Sequence, residues 1–137
     1  MKTKTYPANY KSLATISQFI IEQAEDAGFS PKDVYAIQIA VDEACSNIID
    51  HAYGGENLGE ITIKFNNFKN KIQIILIDKG KPFILEDVPE PDLTSPLETR
   101  KERGLGVFFM KNFMDSVLFE FSKSEGNILT MEKNKGE

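Results

Sequence analysis

The N-terminal half of the chain repeats apolar residues at the spacing of an α-helix. Such positions recur over residues 9–27 and again over residues 31–53. The second segment opens at Ser30 and Pro31, a capping hydroxyl followed by a first-turn proline. The pattern predicts two amphipathic helices with those bounds, preceded by a short edge strand over residues 2–6.

Four later segments alternate apolar and polar residues with the period of a β-strand. They span residues 60–66, 71–78, 115–122 and 127–133, and they form two predicted hairpins. The segment 71–78 is apolar on both faces near its end. We therefore expect this strand to lie in the centre of the sheet.

A stretch rich in proline and charge separates the two hairpins. Residues 79–103 contain four prolines and predict a long loop, with at most a short helical piece near residues 96–102. A helix over residues 105–113 follows. The order β–α–α–β–β–loop–α–β–β favours an α+β fold, a two-layer α/β sandwich with helices on one face of a mixed, mostly antiparallel sheet. Residues 1–137 are the usual length of one domain, so we expect a single one.

Composition narrows the class of partner. The formal net charge is −5, whereas nucleic-acid-binding domains normally carry a basic stripe, so no nucleic acid is expected. The single cysteine, Cys45, excludes an internal disulfide. The sequence has no secretory signal core and no run of about 20 apolar residues that could span a membrane. We therefore expect a cytoplasmic protein with no membrane association.

The second predicted helix carries a column of polar side chains. Glu43 and Asn47 are four residues apart and share one face, which Asp50 and His51 extend. An asparagine supplies a neutral oxygen to a hard cation such as Mg²⁺, and a glutamate can deprotonate an attacking hydroxyl. Taken alone, the pair is far more often an ordinary solvated helix face.

Two further segments carry groups that could contact a ligand. Asp78 and Gly80 end a buried strand, where a carboxylate can accept a hydrogen bond from an exocyclic amine and glycine permits close backbone approach. Residues 103–106, Arg-Gly-Leu-Gly, lead into a helix whose first N–H groups suit phosphate. The plain alternatives are a strand-ending turn and a helix-start loop.

In this order, the three segments resemble the nucleotide-binding boxes of the GHKL ATPases, the superfamily of gyrase, Hsp90, histidine kinases and MutL. Residues 41–53 resemble its N box, residues 78–80 its adenine-binding box and residues 104–106 its phosphate box. The sequence Glu-Ala-Cys-Ser-Asn and the segment over residues 111–115 are similar to those of the anti-sigma factor serine kinases of the RsbW and SpoIIAB type. The resemblance covers nearly the whole chain and implies the Bergerat ATP-binding fold, with ATP and Mg²⁺ as cofactors.

The resemblance also implies roles for individual residues. Asn47 would coordinate Mg²⁺, and Glu43 would be the general base on a substrate serine. The adenine amino group would bind Asp78, with Gly80 admitting the base. The remaining nucleotide-binding residues implied are Asp50, Arg103 (or Arg100 in its place), Gly104, Leu105, Gly106 and, as a late threonine acting through water, Thr130. The chain departs from many superfamily members after Gly80, where Lys81-Pro82-Phe83 replaces a Gly-x-Gly continuation.

The function implied is an ATP-dependent serine/threonine protein kinase and anti-sigma regulatory factor. It would phosphorylate a serine on a STAS-domain anti-anti-sigma protein in a partner-switching pathway. A sigma factor is a further expected partner, and a homodimer is expected from the family alone. The alternatives are a non-catalytic nucleotide-binding regulator that sequesters a protein partner, the ATP domain of a histidine kinase, and a structural domain that binds no nucleotide.

Overall fold

The elements follow one another much as the hydrophobic pattern predicts. A computed structural model describes residues 1–82, 107 and 110–136. In chain order these form β1 (Lys2–Pro7), α1 (Tyr10–Asp26), α2 (Pro31–Asn47), a π-helical turn (Ile48–Ala52), β2 (Glu60–Asn67), β3 (Lys71–Asp78), β4 (Ser116–Ser122) and β5 (Gly126–Asn134). Residues 107 and 110–113 are helical, within the helix predicted over residues 105–113. Most of the predicted loop lies outside the described residues.

Side-chain caps start both long helices. The Asn9 carboxamide oxygen accepts a hydrogen bond from the Ser12 N–H at 2.8 Å, which satisfies one of the unpaired donors at the start of α1. The Ser30 hydroxyl accepts from the Asp33 N–H at 3.3 Å, with Pro31 in the first turn of α2. The helix starts expected from the sequence are therefore confirmed.

The second helix does not continue in α geometry to residue 53. The α-helix ends at Asn47, and the next five residues form the π turn. The Tyr53 N–H bonds to the Ile48 carbonyl at 2.9 Å, a five-residue step. Turns of this kind are rare and occur often at functional sites. Asp50 and His51 therefore do not simply extend the α-helical column of Glu43 and Asn47.

The sheet has the strand order β1-β2-β3-β5-β4. All four pairings between these strands are antiparallel. The central place predicted for β3 is confirmed, since it pairs with β2 on one side and β5 on the other. The α+β prediction is confirmed as well, and the described strands make no parallel pair.

The core lies between the helices and one face of the sheet. Along β3, buried residues alternate with half-buried ones, as expected for a sheet covered on one face. Cys45 is fully buried there, and burial raises the pKa of its thiol, in keeping with a packing residue. The largest side chains with no exposure are Ile16, Ile20, Ile37, Val41, Ile49, Ile61, Ile63, Ile72, Ile74, Leu76, Met110 and Met131. Within the described part of the chain, no helix has the length and apolar character needed to cross a bilayer.

Candidate functional site

A cleft of about 360 Å³ opens where the end of α2 meets the end of β3. One wall, which we call the helical wall, consists of the end of α2 and the π turn, residues 44–54. The opposite wall, the sheet wall, consists of the end of β3 with its following turn, residues 78–82, and the start of β5, residues 127–129. Further lining comes from Met110, Phe119 and Glu120.

The helical wall contains an unsatisfied amide. Asn47 lines the cleft. Among the described residues, its Nδ2 is the one buried side-chain nitrogen or oxygen atom without a hydrogen-bond partner. Such an atom is costly unless something outside the chain pairs with it. Rotation of the amide would present its oxygen at the same place. Asn47 therefore has the position of a residue that contacts a ligand or its metal.

Glu43 lies one helical turn before Asn47 on α2 and is half-buried. It is not among the described residues that line the cleft. Asp50 and His51 do line it, from the π turn. The Tyr10 hydroxyl donates a short hydrogen bond to Asp50 Oδ1, which ties this part of the helical wall to the start of α1.

The sheet wall holds a buried carboxylate. Asp78 is only 4% exposed. Its Oδ1 accepts from the Gly80 N–H and from Asn127 Nδ2, both at 2.9 Å. Burial raises the pKa of Asp78, and the hydrogen bonds from Asn127 and Gly80, together with the charge of Lys79, oppose that rise. The carboxylate lines the cleft across from the helical wall.

Asn127 is a residue of the cleft that the sequence reasoning missed, since it was assigned only to the final hairpin. Asn127 is only 6% exposed. Its Nδ2 also donates a hydrogen bond to the Lys81 carbonyl at 2.7 Å. Strand register places Asn127 in the cleft, and register is not readable from a single sequence. Asn127 stands directly opposite Asp78 in the β3–β5 pair.

Thr130 is not among the described residues that line the cleft, so the structure does not bring it together with Asn47, Asp50 and Asp78. It pairs with Ile75 across β3 and with Leu118 across β4. Side chains three residues apart on a strand point to opposite faces, and the buried face of β5 carries Asn127, Leu129 and Met131. Thr130 therefore lies on the outer face of the sheet.

Gly80 serves the packing of the two walls against each other. A Cβ built on Gly80 would lie 2.5 Å from the Ala52 carbonyl carbon and oxygen. The next residue, Lys81, donates its N–H to that same oxygen at 2.7 Å. The close approach that glycine permits here is therefore to the π turn.

Tyr53 makes a second link between the walls, and sequence reasoning missed it too. Its hydroxyl accepts from the Lys79 N–H at 2.9 Å and donates to the Glu60 carbonyl at 2.7 Å. The ring passes over Gly59, where any side chain would collide with it. Tyr53 and Ala52 together hold the ends of α2 and β3 in one relative position.

The described lining is acidic. It contains the carboxyl groups of Asp50, Asp78 and Glu120 and one lysine, Lys81. No group of three or more His, Cys, Asp or Glu side chains that could hold a metal occurs among the described residues. The oxygen donors that the described lining could offer a metal are the Asn47 amide and these carboxylates.

Comparison with known proteins decides the family. The family model for the histidine kinase-like ATPase domain matches residues 6–133. The chain belongs to this family. It is also 32% identical over 131 residues to the serine-protein kinase RsbW of Bacillus thuringiensis (strain Al Hakam), covering 93% of this chain and 80% of that protein. RsbW of Bacillus anthracis (strain A0248) is 33% identical with the same coverage, so the predicted resemblance to the GHKL ATPases of the RsbW type is confirmed.

Solved structures agree on the fold of this histidine kinase-like ATPase domain. The RsbU and RsbW domains of Rv1364c from Mycobacterium tuberculosis superpose with a TM-score of 0.63 at 12% identity, over 99% of this chain and 34% of that one. The catalytic domain of histidine kinase ThkA gives 0.57 at 16% identity, over 98% of both chains.

The structure therefore brings together part of the predicted site. Asn47, Asp50 and Asp78 line one cleft, and Gly80 supports its sheet wall. The predicted phosphate-binding residues of this ATPase domain lie outside the described residues; they are Arg100, Arg103, Gly104, Leu105 and Gly106.

Proposed function

We propose that this ATPase domain is an ATP-dependent protein serine kinase that phosphorylates a STAS-domain anti-anti-sigma protein. The observation that carries the proposal is the pairing of Asn47 and Asp78 on opposite walls of one cleft. The similarity to RsbW serine-protein kinases over most of the chain supports the activity.

Asp78 is the proposed adenine-binding group. Among the described residues, both of its hydrogen bonds fall on Oδ1, and Oδ2 accepts none. A carboxylate oxygen held in this way can accept a hydrogen bond from the amino group of adenine. The sheet wall would then hold the base.

Asn47 is the proposed Mg²⁺ ligand. Its unpaired amide fits a group that meets its partner only when the nucleotide is bound. Mg²⁺ prefers oxygen ligands and is usually bound by few protein groups together with phosphate oxygens. When bound, the ion neutralises charge on the phosphates. That contribution matters here because the described lining carries more carboxylates than cations.

Glu43 is the proposed general base. Its carboxylate would accept the proton from the hydroxyl of the partner's serine as that oxygen becomes the nucleophile. Its place on α2, one turn from Asn47, supports this role. In kinases, positioning and charge neutralisation contribute most of the catalysis, so this group alone does not account for the activity.

A second candidate is a regulator that binds nucleotide and sequesters a protein without phosphorylating it. The observation in its favour is that Glu43 does not line the described cleft. We propose two further partners on the RsbW relationship, a sigma factor and a second copy of this chain. Two half-buried isoleucines on the outer face of the sheet, Ile75 and Ile77, support self-association.

Phosphate transfer to a STAS partner encoded beside this protein tests the proposal. With Mg-ATP, the wild-type protein should label the partner. Glu43→Gln should reduce the rate roughly 100-fold or more while it retains nucleotide binding. Labelling by Glu43→Gln at the wild-type rate contradicts the general-base role. If the wild type binds ATP and the STAS protein yet never labels it, the second candidate is correct.

A further inference from the structure

The sheet wall contains a polar cluster that is more elaborate than a turn requires. Asn127 Nδ2 contacts three oxygens: Asp78 Oδ1 at 2.9 Å, the Lys81 carbonyl at 2.7 Å and the Gly80 carbonyl at 3.5 Å. All three are acceptors, so the nitrogen of the amide must face them. The orientation of the Asn127 side chain is thereby determined.

We infer that Asn127 is a positioning residue that keeps Asp78 an anionic acceptor and thereby makes the cleft selective for 6-amino over 6-oxo purines. The inference rests on the proposed nucleotide function. The amide donates to one oxygen of the carboxylate, so it favours the charged form and directs the other oxygen toward the cleft. A protonated Asp78 could donate a hydrogen bond, and the selectivity would then be lost.

The environment of Asp78 makes this support necessary. A carboxylic acid that is 4% exposed tends toward its neutral form, because burial penalises charge. The same amide also joins Asp78 to the turn that follows it, through the Lys81 carbonyl. Loss of the amide would therefore affect both the charge of the acid and the position of the turn.

Other charged groups around Asp78 do not replace the amide. From its own turn, Lys79 lowers the pKa of Asp78, but the Lys79 ammonium bonds to the Ser124 and Glu125 carbonyls at 3.2 and 2.5 Å. Lys81 lines the cleft from the same turn. Among the described residues of the other elements, the titratable groups around the cleft are Asp50 and His51 on the π turn, Tyr53 beyond it, and Glu120 on β4.

The direction of the pH effect follows from these contacts. Adenine binding needs the Asp78 carboxylate, so affinity should fall as pH falls through the pKa of Asp78. The hydrogen bond from Asn127 lowers that pKa. Removing the amide raises it, so the midpoint of the affinity loss should move to higher pH.

The test compares ATP with inosine triphosphate, which carries a 6-oxo group, by titration calorimetry with Mg²⁺ over a pH series that runs downward from neutral. Asn127→Ala should weaken ATP binding at neutral pH by roughly tenfold and lower the preference for ATP over inosine triphosphate. It should also move the midpoint of the pH-dependent affinity loss to higher pH. Asn127→Asp places a second acid beside Asp78 and should shift the midpoint further. Thr130→Ala, on the outer face of the same strand, is the matched control and should match the wild type.

The outcomes separate this inference from the proposed function. If the wild-type protein binds neither nucleotide, the proposed function is wrong, and the inference that depends on it is overturned as well. If the wild type binds ATP but both Asn127 variants keep its base preference and pH midpoint, the inference alone is overturned. An equal loss for both nucleotides with an unchanged midpoint also overturns it, since that result indicates a merely structural side chain.

Discussion

The two walls of the cleft differ in how their buried polar atoms are hydrogen-bonded. On the helical wall, Asn47 carries a buried amide nitrogen without a partner among the described residues. On the sheet wall, Gly80 and Asn127 both donate hydrogen bonds to one carboxylate oxygen of Asp78. The sheet wall is therefore held by hydrogen bonds within the chain, whereas the helical wall leaves one buried amide nitrogen without a partner among the described residues. We therefore expect the residues that join or pack the two walls to matter for stability, and the unpaired amide of Asn47 to matter for binding alone.

The largest effect on stability is expected at Gly126, at the start of β5. Its φ is +89°, and an added Cβ would collide with the Asp78 carbonyl oxygen. Gly126→Ala should lower the free energy of unfolding by about 3 kcal/mol, measured by urea denaturation. Gly28→Ala is the matched control, since Gly28 has φ +93° but open space around it, and it should cost about 1 kcal/mol. Equal losses in the two variants would show that the sheet wall is not tightly packed.

A smaller loss is expected at Tyr53, which joins the walls. Tyr53→Phe leaves the Lys79 N–H and the Glu60 carbonyl without their hydroxyl partner, so the free energy of unfolding should fall by about 1–2 kcal/mol. Tyr35→Phe is the control, because Tyr35 is 63% exposed, and it should change nothing measurable. An unchanged stability for Tyr53→Phe would mean that the two walls do not depend on this link.

The smallest effect on stability is expected at Asn47. Its amide nitrogen makes no hydrogen bond that folding would lose, so Asn47→Ala should alter the free energy of unfolding by less than about 1 kcal/mol. The same variant should lose the rise in melting temperature that Mg-ATP gives the wild type. A destabilisation as large as that of Gly126→Ala would contradict the contrast between the walls.

The sequence predicted most of the fold because its signals are local. The cap at Ser30, the helical spacing of apolar residues over residues 9–27 and the alternation along β2 and β3 all act within a few residues. The π turn was missed because a five-residue hydrogen-bond step leaves no periodicity in so short a segment. The π turn bonds to the segment after β3 through the Ala52 carbonyl and the Lys81 N–H, a contact between segments far apart in the sequence.

The candidate site could be predicted where a residue type is unusual for its element. It could not be predicted where strand register decides which side chain faces the cleft. Asp78 is an acid at the end of an apolar strand, and it stands in the cleft. The choice between Thr130 and Asn127 depended on which face of β5 each occupies. That face is set by the pairing of Asn127 with Asp78 across two distant strands, which a single sequence does not reveal.

The most direct test of the central claim is a calorimetric titration of the purified protein with ATP. The titration is performed once in the presence of Mg²⁺ and once after a chelator has removed the Mg²⁺. The account predicts saturable binding that weakens without Mg²⁺, and a stabilisation of about 2.7 kcal/mol when ATP is present at about 100 times its dissociation constant. In Asn47→Ala the dependence on Mg²⁺ should disappear. Absence of binding by the wild type, or Mg²⁺-dependent binding that Asn47→Ala leaves intact, would contradict a nucleotide site between these two walls.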